Sequence, residues 1–179
     1  MQPKNVLAIC GSTRAQSTNK RYIEAVAALG HSLFSLTLFE GLGGLPQFNP
    51  DVDPDHPPGP VQDLLRQLTQ ADGVLICTPE YAMGVPGSLK NAIDWTVAVS
   101  TFSGKPVALI TASLAGRKGH AALLETLRVI EARMTEDVEL VISHAQTKIN
   151  ASSVITDDET LHRVTRLVHA LDTLMHQIP

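Results

Sequence analysis

The sequence predicts a doubly wound α/β fold, a five-stranded parallel sheet of order 2-1-3-4-5 with helices on both faces. Apolar strand-like runs alternate with helical patterns five times, with short connections between them. The first run, Val6 to Cys10, is apolar without interruption, as a strand covered on both faces must be. The loops after the first, third and fourth runs are unusual in sequence. The order 2-1-3-4-5 gathers those loops at the winding reversal between strands 1 and 3, where such sheets bind ligands.

Each element has its own justification. Ser17 to Leu29 carries Ala, Val and Leu at helical spacing, and Leu33 to Phe39 alternates Leu33, Ser35, Thr37 against Phe34, Leu36, Leu38 as a more exposed strand. Pro57-Pro58-Gly59-Pro60 sets the start of a helix over Val61 to Ala71, with Leu64, Leu65 and Leu68 on one stripe. Gly73 to Thr78 reads as the third strand and Ser88 to Val97 as a helix. Pro106 to Thr111 reads as a strand, Ala121 to Arg133 as a helix, Val138 to Ile142 as the fifth strand, and Asp157 to Met175 as the closing helix. No internal repeat or low-complexity linker interrupts the pattern, so residues 1–179 are expected to form one domain.

Composition narrows the function classes. An apolar fraction of 44% and a charged fraction of 18% are globular values. A net charge of −4, with no Lys/Arg-rich run, argues against nucleic acid as partner. No apolar stretch reaches the ~20 residues that span a bilayer, and no basic-then-apolar leader opens the chain. No membrane association and a cytoplasmic location are therefore expected. The two cysteines, Cys10 and Cys77, each end an apolar run and read as buried small hydrophobes rather than a disulfide or redox pair.

The segment Leu7–Asn19 concentrates the chemistry. An apolar strand runs into a loop of small hydroxyl residues with one Arg, and a helix follows. Such a turn collects hydroxyl donors, free backbone N–H groups and the positive end of a helix dipole, which suits a phosphate monoester. Arg14 adds a planar fork of donors, charged at any working pH. The plainer alternative is an N-cap, in which Ser17 or Thr18 satisfies loose amides. A cap needs one hydroxyl, whereas Ser12, Thr13, Arg14, Ser17, Thr18 and Asn19 all fall within positions 12–19. Small phosphatases also head such a loop with a Cys, but their spacing would require Arg at position 16. That position is Gln16, so Cys10 is not read as a nucleophile.

Two further loops should meet the first. In Thr78–Trp95, Pro79 and Pro86 fix φ at either end of a stretch that could aim backbone amides at a planar heterocycle, with Tyr81 and Met83 as apolar walls. The same stretch could equally be a stiff connection that binds nothing. The loop Thr111–Gly119 is small and Gly-containing, able to pass beside a ring or simply to make a tight turn.

In combination, these segments closely resemble a known family. Gly11-Ser12-x-Arg14-x-x-Ser17-x-Asn19, Pro79-Glu80-Tyr81 and Pro86-Gly87-x-Leu89-Lys90-Asn91-Ala92-Ile93-Asp94-Trp95 are similar to motifs of the NADPH-dependent FMN reductases, in the flavodoxin-like superfamily. Leu45-Pro46-Gln47-Phe48-Asn49-Pro50-Asp51 resembles the same family, and the likeness runs from residue 4 to about 145. Many members carry Asn where this chain has Ala82.

The resemblance implies a flavodoxin-like three-layer sandwich and FMN as cofactor. It puts the FMN phosphate on Ser12, Arg14, Ser17 and Asn19, with Thr13 and Thr18 contributing through backbone or hydroxyl. It lays the isoalloxazine along Pro79, Glu80, Tyr81, Ala82 and Met83, with Ser113 and its loop, including Gly116, near the ring or ribityl chain. No catalytic acid or base and no metal is implied, since the cofactor carries the chemistry, and none of the seven histidines falls in these loops.

The chain has no Gly-x-Gly-x-x-Gly turn opening a helix, so no separate dinucleotide site is expected. NADPH or NADH would then be a transient donor that leaves before the acceptor arrives. That is ping-pong hydride transfer through flavin N5, with a quinone, free flavin, azo compound or metal oxyanion as the small-molecule acceptor. Two other readings stand beside it. One is a flavin-binding electron carrier without substantial turnover, against which the modest charge counts. The other is a domain that kept the fold and lost FMN, against which the intact first loop counts.

Two features of the helices remain. His162, His169 and His176 recur on one face of the last helix, but successive members lie roughly 10 Å apart along its axis, too far to share an ion. On the helix Ser88–Val97, Lys90 and Asp94 form an i,i+4 pair, and Leu89, Ala92, Ile93 and Thr96 should face the sheet. Trp95 and Val97 fall outside that stripe, and the family commonly dimerises through this helix. A homodimer or tetramer that buries Trp95 is therefore expected.

Overall fold

A computed structural model describes residues 4–177 and contains the five parallel strands in the predicted order. The strands are β1 (Lys4–Cys10), β2 (Phe34–Phe39), β3 (Gly73–Thr78), β4 (Val107–Ala112) and β5 (Glu139–Ile142), arranged β2-β1-β3-β4-β5. Helices α1 (Thr18–Gly30) and α5 (Asp158–His176) cover one face. Helices α2 (Gly59–Gln70), α3 (Gly87–Val97) and α4 (Arg117–Val129) cover the other.

Alternation along each strand splits the core in two. Val6, Ala8, Cys10, Leu75 and Cys77 pack toward α1 and α5, whereas Leu7, Ile9, Val74 and Ile76 pack toward α2, α3 and α4. The central strands β3 and β4 are buried throughout, while the edge strand β2 alternates buried and exposed positions. The predicted stripe of Leu89, Ala92, Ile93 and Thr96 is buried, and the Lys90–Asp94 pair forms at 2.6 Å on the surface.

Helix α4 departs most from its expected limits. Gly116, in the left-handed region at φ 89°, starts it at Arg117, ahead of the Ala121 predicted. It stops at Val129; Glu131 beyond it is left-handed (φ 60°), and Arg133 belongs to the sheet margin. Val107 N–H donates to the Arg133 carbonyl (3.0 Å), and Arg133 N–H donates to that of Lys105 (2.8 Å).

Trp95 requires a correction. It is only 6% exposed. Its indole N–H donates to the Pro46 carbonyl at 2.9 Å, and its ring meets Phe48 edge-on at 5.1 Å. The surface that looked free for a partner subunit is covered by the chain's own segment 45–50. Val97, by contrast, is exposed. The three histidines of α5 are exposed, with His176 Nε2 at 3.5 Å from an Asp172 carboxylate oxygen. Among the described residues no helix is long and apolar enough to cross a membrane.

Candidate functional site

The turn after β1 is shaped by close approach. A Cβ on Gly11 would lie 2.3 Å from Thr78 Oγ1, so only glycine lets β1 stay tied to β3 there, through Gly11 N–H to the Cys77 carbonyl at 2.8 Å. The chain then turns, and Ser17 Oγ caps α1 by accepting from Lys20 N–H at 3.4 Å. Ser17 thus serves as the N-cap and also faces the cavity. Ser12, Ser17 and Asn19 are buried polar residues, and together with Arg14 and Thr18 they line a cavity at the carboxyl ends of β1, β3 and β4.

The electrostatics of this cradle suit a phosphate dianion. The first turn of α1 holds no acidic residue, so the positive end of its dipole is not neutralised from within. Among the described residues no hydrogen bond or ion pair engages the Arg14 guanidinium. In α5, by contrast, Asp157 caps the helix, and Asp158 and Glu159 occupy the first turn. Hydroxyls, an amide, a guanidinium and an unneutralised helix end make a donor set of the kind a flavin mononucleotide phosphate needs.

Thr13 is the exception in this loop. It does not line the cavity; its methyl points at the turn near Gly43, where a Cβ would lie 3.5 Å from it. Cys10 and Cys77 are free, buried thiols, and desolvation pushes both above the ordinary thiol range, which disfavours the thiolate form.

The second loop splits into wall and brace. Pro79 and Tyr81 line the cavity. Tyr81 and Gly84 close a two-residue hairpin with reciprocal 2.9 Å hydrogen bonds, and its central residues, Ala82 (φ 49°) and Met83 (φ 64°), are left-handed. Both sit at an exposed tip and neither lines the cavity. Glu80 also turns elsewhere. Its carboxylate accepts from Gly119 N–H at 2.6 Å, in the first turn of α4, and a Cβ on Gly119 would come within 2.6 Å of the Gly84 carbonyl oxygen. Glu80 therefore fastens the loop to α4. Gly116 serves as the left-handed start of that helix and is likewise outside the lining. Of the third loop, Ser113 lines the cavity as expected.

The opposite wall was not legible in the sequence. Leu114 and the segment His144–Thr147 complete the lining, with Ala112 at the end of β4. His144 N–H donates to the Leu114 carbonyl and Ala145 N–H to that of Ser113, both at 3.1 Å. The buried Tyr22 hydroxyl donates to the Ala145 carbonyl at 3.0 Å, fixing this wall to α1. The one available signal was topological, since the loop after β5 lies beside the loop after β4 in the order 2-1-3-4-5.

The remaining motif residues explain one another. Asn91 accepts from Phe48 N–H at 2.7 Å and donates to the Pro46 carbonyl at 3.0 Å, the same carbonyl that Trp95 binds. The Leu45–Asp51 segment and the α3 motif are thus two halves of one structural joint rather than direct cavity lining.

The chain is also similar to known proteins. The sequence matches the family described as NADPH-dependent FMN reductase over residues 4–147. It is 36% identical to a 2-hydroxy-1,4-benzoquinone reductase of Burkholderia sp over 162 residues, covering 87% of each chain. It is 34% identical to an NAD(P)H-dependent FMN reductase of Pseudomonas aeruginosa, covering 97% of this chain and 96% of the other. Among solved structures, the FerB flavoenzyme NAD(P)H:(acceptor) oxidoreductase of Paracoccus denitrificans superposes with a TM-score of 0.86. It is 29% identical, over 96% of this chain and 97% of that one. With the cradle at the winding reversal and the match spanning the sheet, the chain belongs to the NADPH-dependent FMN reductase family, flavodoxin-like in fold.

Proposed function

We propose that this NAD(P)H-dependent flavin oxidoreductase uses FMN to reduce a quinone or a comparable small acceptor in a ping-pong cycle. Ser12, Arg14, Ser17, Thr18 and Asn19 would hold the phosphate. Pro79 and Tyr81 would flank the ring from one side, with Ser113, Leu114 and His144–Thr147 on the other. FMN bound there would supply the redox chemistry, hydride acceptance from NADPH or NADH and its delivery to the acceptor in a separate half-reaction.

The protein's part is to bind, orient and shield. The cradle in the first turn of α1, rich in donors and free of carboxylates, carries this reading. Glu80 and Gly119 hold the ring-side loop in place, and Tyr22 holds the opposite wall. The absence of a Gly-x-Gly-x-x-Gly turn supports alternation of donor and acceptor at one opening. The benzoquinone reductase of Burkholderia supports the acceptor class; free flavins, azo compounds and metal oxyanions are alternatives to be assayed.

Initial rates with NADPH and 1,4-benzoquinone test the proposal. Parallel double-reciprocal lines are expected. Intersecting lines would reject alternation, and flavin reduction without turnover would favour an electron carrier. The proposal takes residues 1–179 as one FMN-binding domain in the cytoplasm. It includes a homodimer or tetramer whose contact uses exposed residues such as Val97 and Val99 rather than Trp95. Sedimentation of the FMN-loaded protein tests the assembly.

A further inference from the structure

Beneath the cradle lies a contact that the proposed chemistry does not use. Asn19, the second residue of α1, is 4% exposed and lines the cavity, yet its side-chain oxygen is turned inward. That oxygen, Oδ1, lies 3.4 Å from Sγ of Cys77, which is fully buried near the end of β3. A buried thiol keeps its proton, and among the described residues Asn19 Oδ1 is the acceptor within reach of it. Sulfur is by comparison a weak acceptor. The thiol therefore selects one of the two orientations of the Asn19 amide.

We infer that Cys77 is a positioning residue for cofactor selection. By donating to Asn19 Oδ1, it turns the Asn19 Nδ2 donors toward the anion cradle. The reverse orientation would aim carbonyl lone pairs at a phosphate and leave the buried S–H without a good acceptor. The inference rests on the reading that this cradle takes the flavin phosphate. It adds that a residue outside the cavity lining sets the preference for FMN over riboflavin, which has the same ring and no phosphate.

The expected effect is moderate. Without the thiol, bound phosphate still favours outward Nδ2, but Oδ1 is then buried against a methyl with no donor. In the free protein the amide can flip and offer Oδ1 to water. The difference corresponds to roughly a fivefold loss.

The test is a fluorescence titration of the flavin-free full-length chain with FMN and with riboflavin, for wild type, Cys77→Ala and Cys77→Ser. Cys77→Ala should lower the FMN-to-riboflavin affinity ratio by about fivefold while riboflavin binding stays constant. Cys77→Ser, which restores a donor, should recover most of the ratio. An unchanged ratio in Cys77→Ala, equal weakening toward both flavins, or failure of Ser to rescue would overturn the inference.

A measurement that needs no Cys77 variant stands beside it. The Asn19 side-chain 15NH2 resonance of the wild type, assigned by its disappearance in Asn19→Ser, should move on adding FMN and stay in place with riboflavin. No difference between the two ligands would also overturn the inference. A wild type that does not distinguish FMN from riboflavin would instead refute the phosphate-cradle reading itself.

Discussion

Trp95 offers the sharpest quantitative test of how the α3 motif works. The ring is 6% exposed, its N–H is bonded to Pro46, and Phe48 packs edge-on against it. The lost indole hydrogen bond contributes about 0.5–1.5 kcal/mol and the aromatic pair a similar amount. With apolar burial included, Trp95→Ala should destabilise by about 3–5 kcal/mol. For a chain of 179 residues that lowers Tm by roughly 10 °C or more. Trp95→Phe keeps most of the burial and loses the N–H bond, so it should cost only about 1–2 kcal/mol. Urea unfolding followed by far-UV circular dichroism gives both values, with sedimentation velocity on the same samples. If Trp95→Ala lost less than about 1 kcal/mol but fell to a smaller species, Trp95 would be an intersubunit contact and the joint described above would be wrong.

Arg14→Ala should weaken FMN binding by about 1.5–3 kcal/mol through loss of a charge-assisted contact, with the fold intact; an unchanged dissociation constant removes Arg14 from the cradle. The hairpin tip holds two non-glycine residues in the left-handed region, so the double change Ala82→Asn, Met83→Gly should stabilise it by about 1–2 kcal/mol. Urea midpoints that fall instead would show that the tip makes contacts worth more than its strain. Burial lowers the pKa of His120, whose Nδ1 lies 2.8 Å from Thr111 Oγ1. The unfolded chain therefore binds this proton first, and stability should decline as pH falls below about 6.5 toward the folded value. His120→Gln should flatten that slope between about pH 5 and 7, and an unaltered slope assigns the loss to other groups.

The sheet was legible because its evidence is local. Val6–Cys10 and Gly73–Thr78 declare buried strands by composition, and the strand–turn–helix around Ser12–Asn19 declares a cradle by residue type. What escaped depends on distant partners. Glu80 looked like a ring contact because nothing nearby in sequence announces Gly119 as the donor it accepts from. Trp95 looked exposed by helical phase, yet a carbonyl 49 residues away covers it. His144–Thr147 carries no recognisable pattern and is held at the cavity by backbone bonds to Ser113 and Leu114 and by the Tyr22 hydroxyl. The early start of α4 turned on Gly116, whose left-handed φ is a backbone property that a glycine permits without announcing.

The central claim is that this cavity holds FMN as a working redox group. An absorbance spectrum of the purified protein, chromatography of the released chromophore, and anaerobic titration with NADPH form one continuous measurement of it. The account predicts a yellow protein that releases FMN, bleaches on NADPH addition and regains colour when 1,4-benzoquinone is added. Release of FAD, or a chain that stays colourless after incubation with FMN, would contradict it.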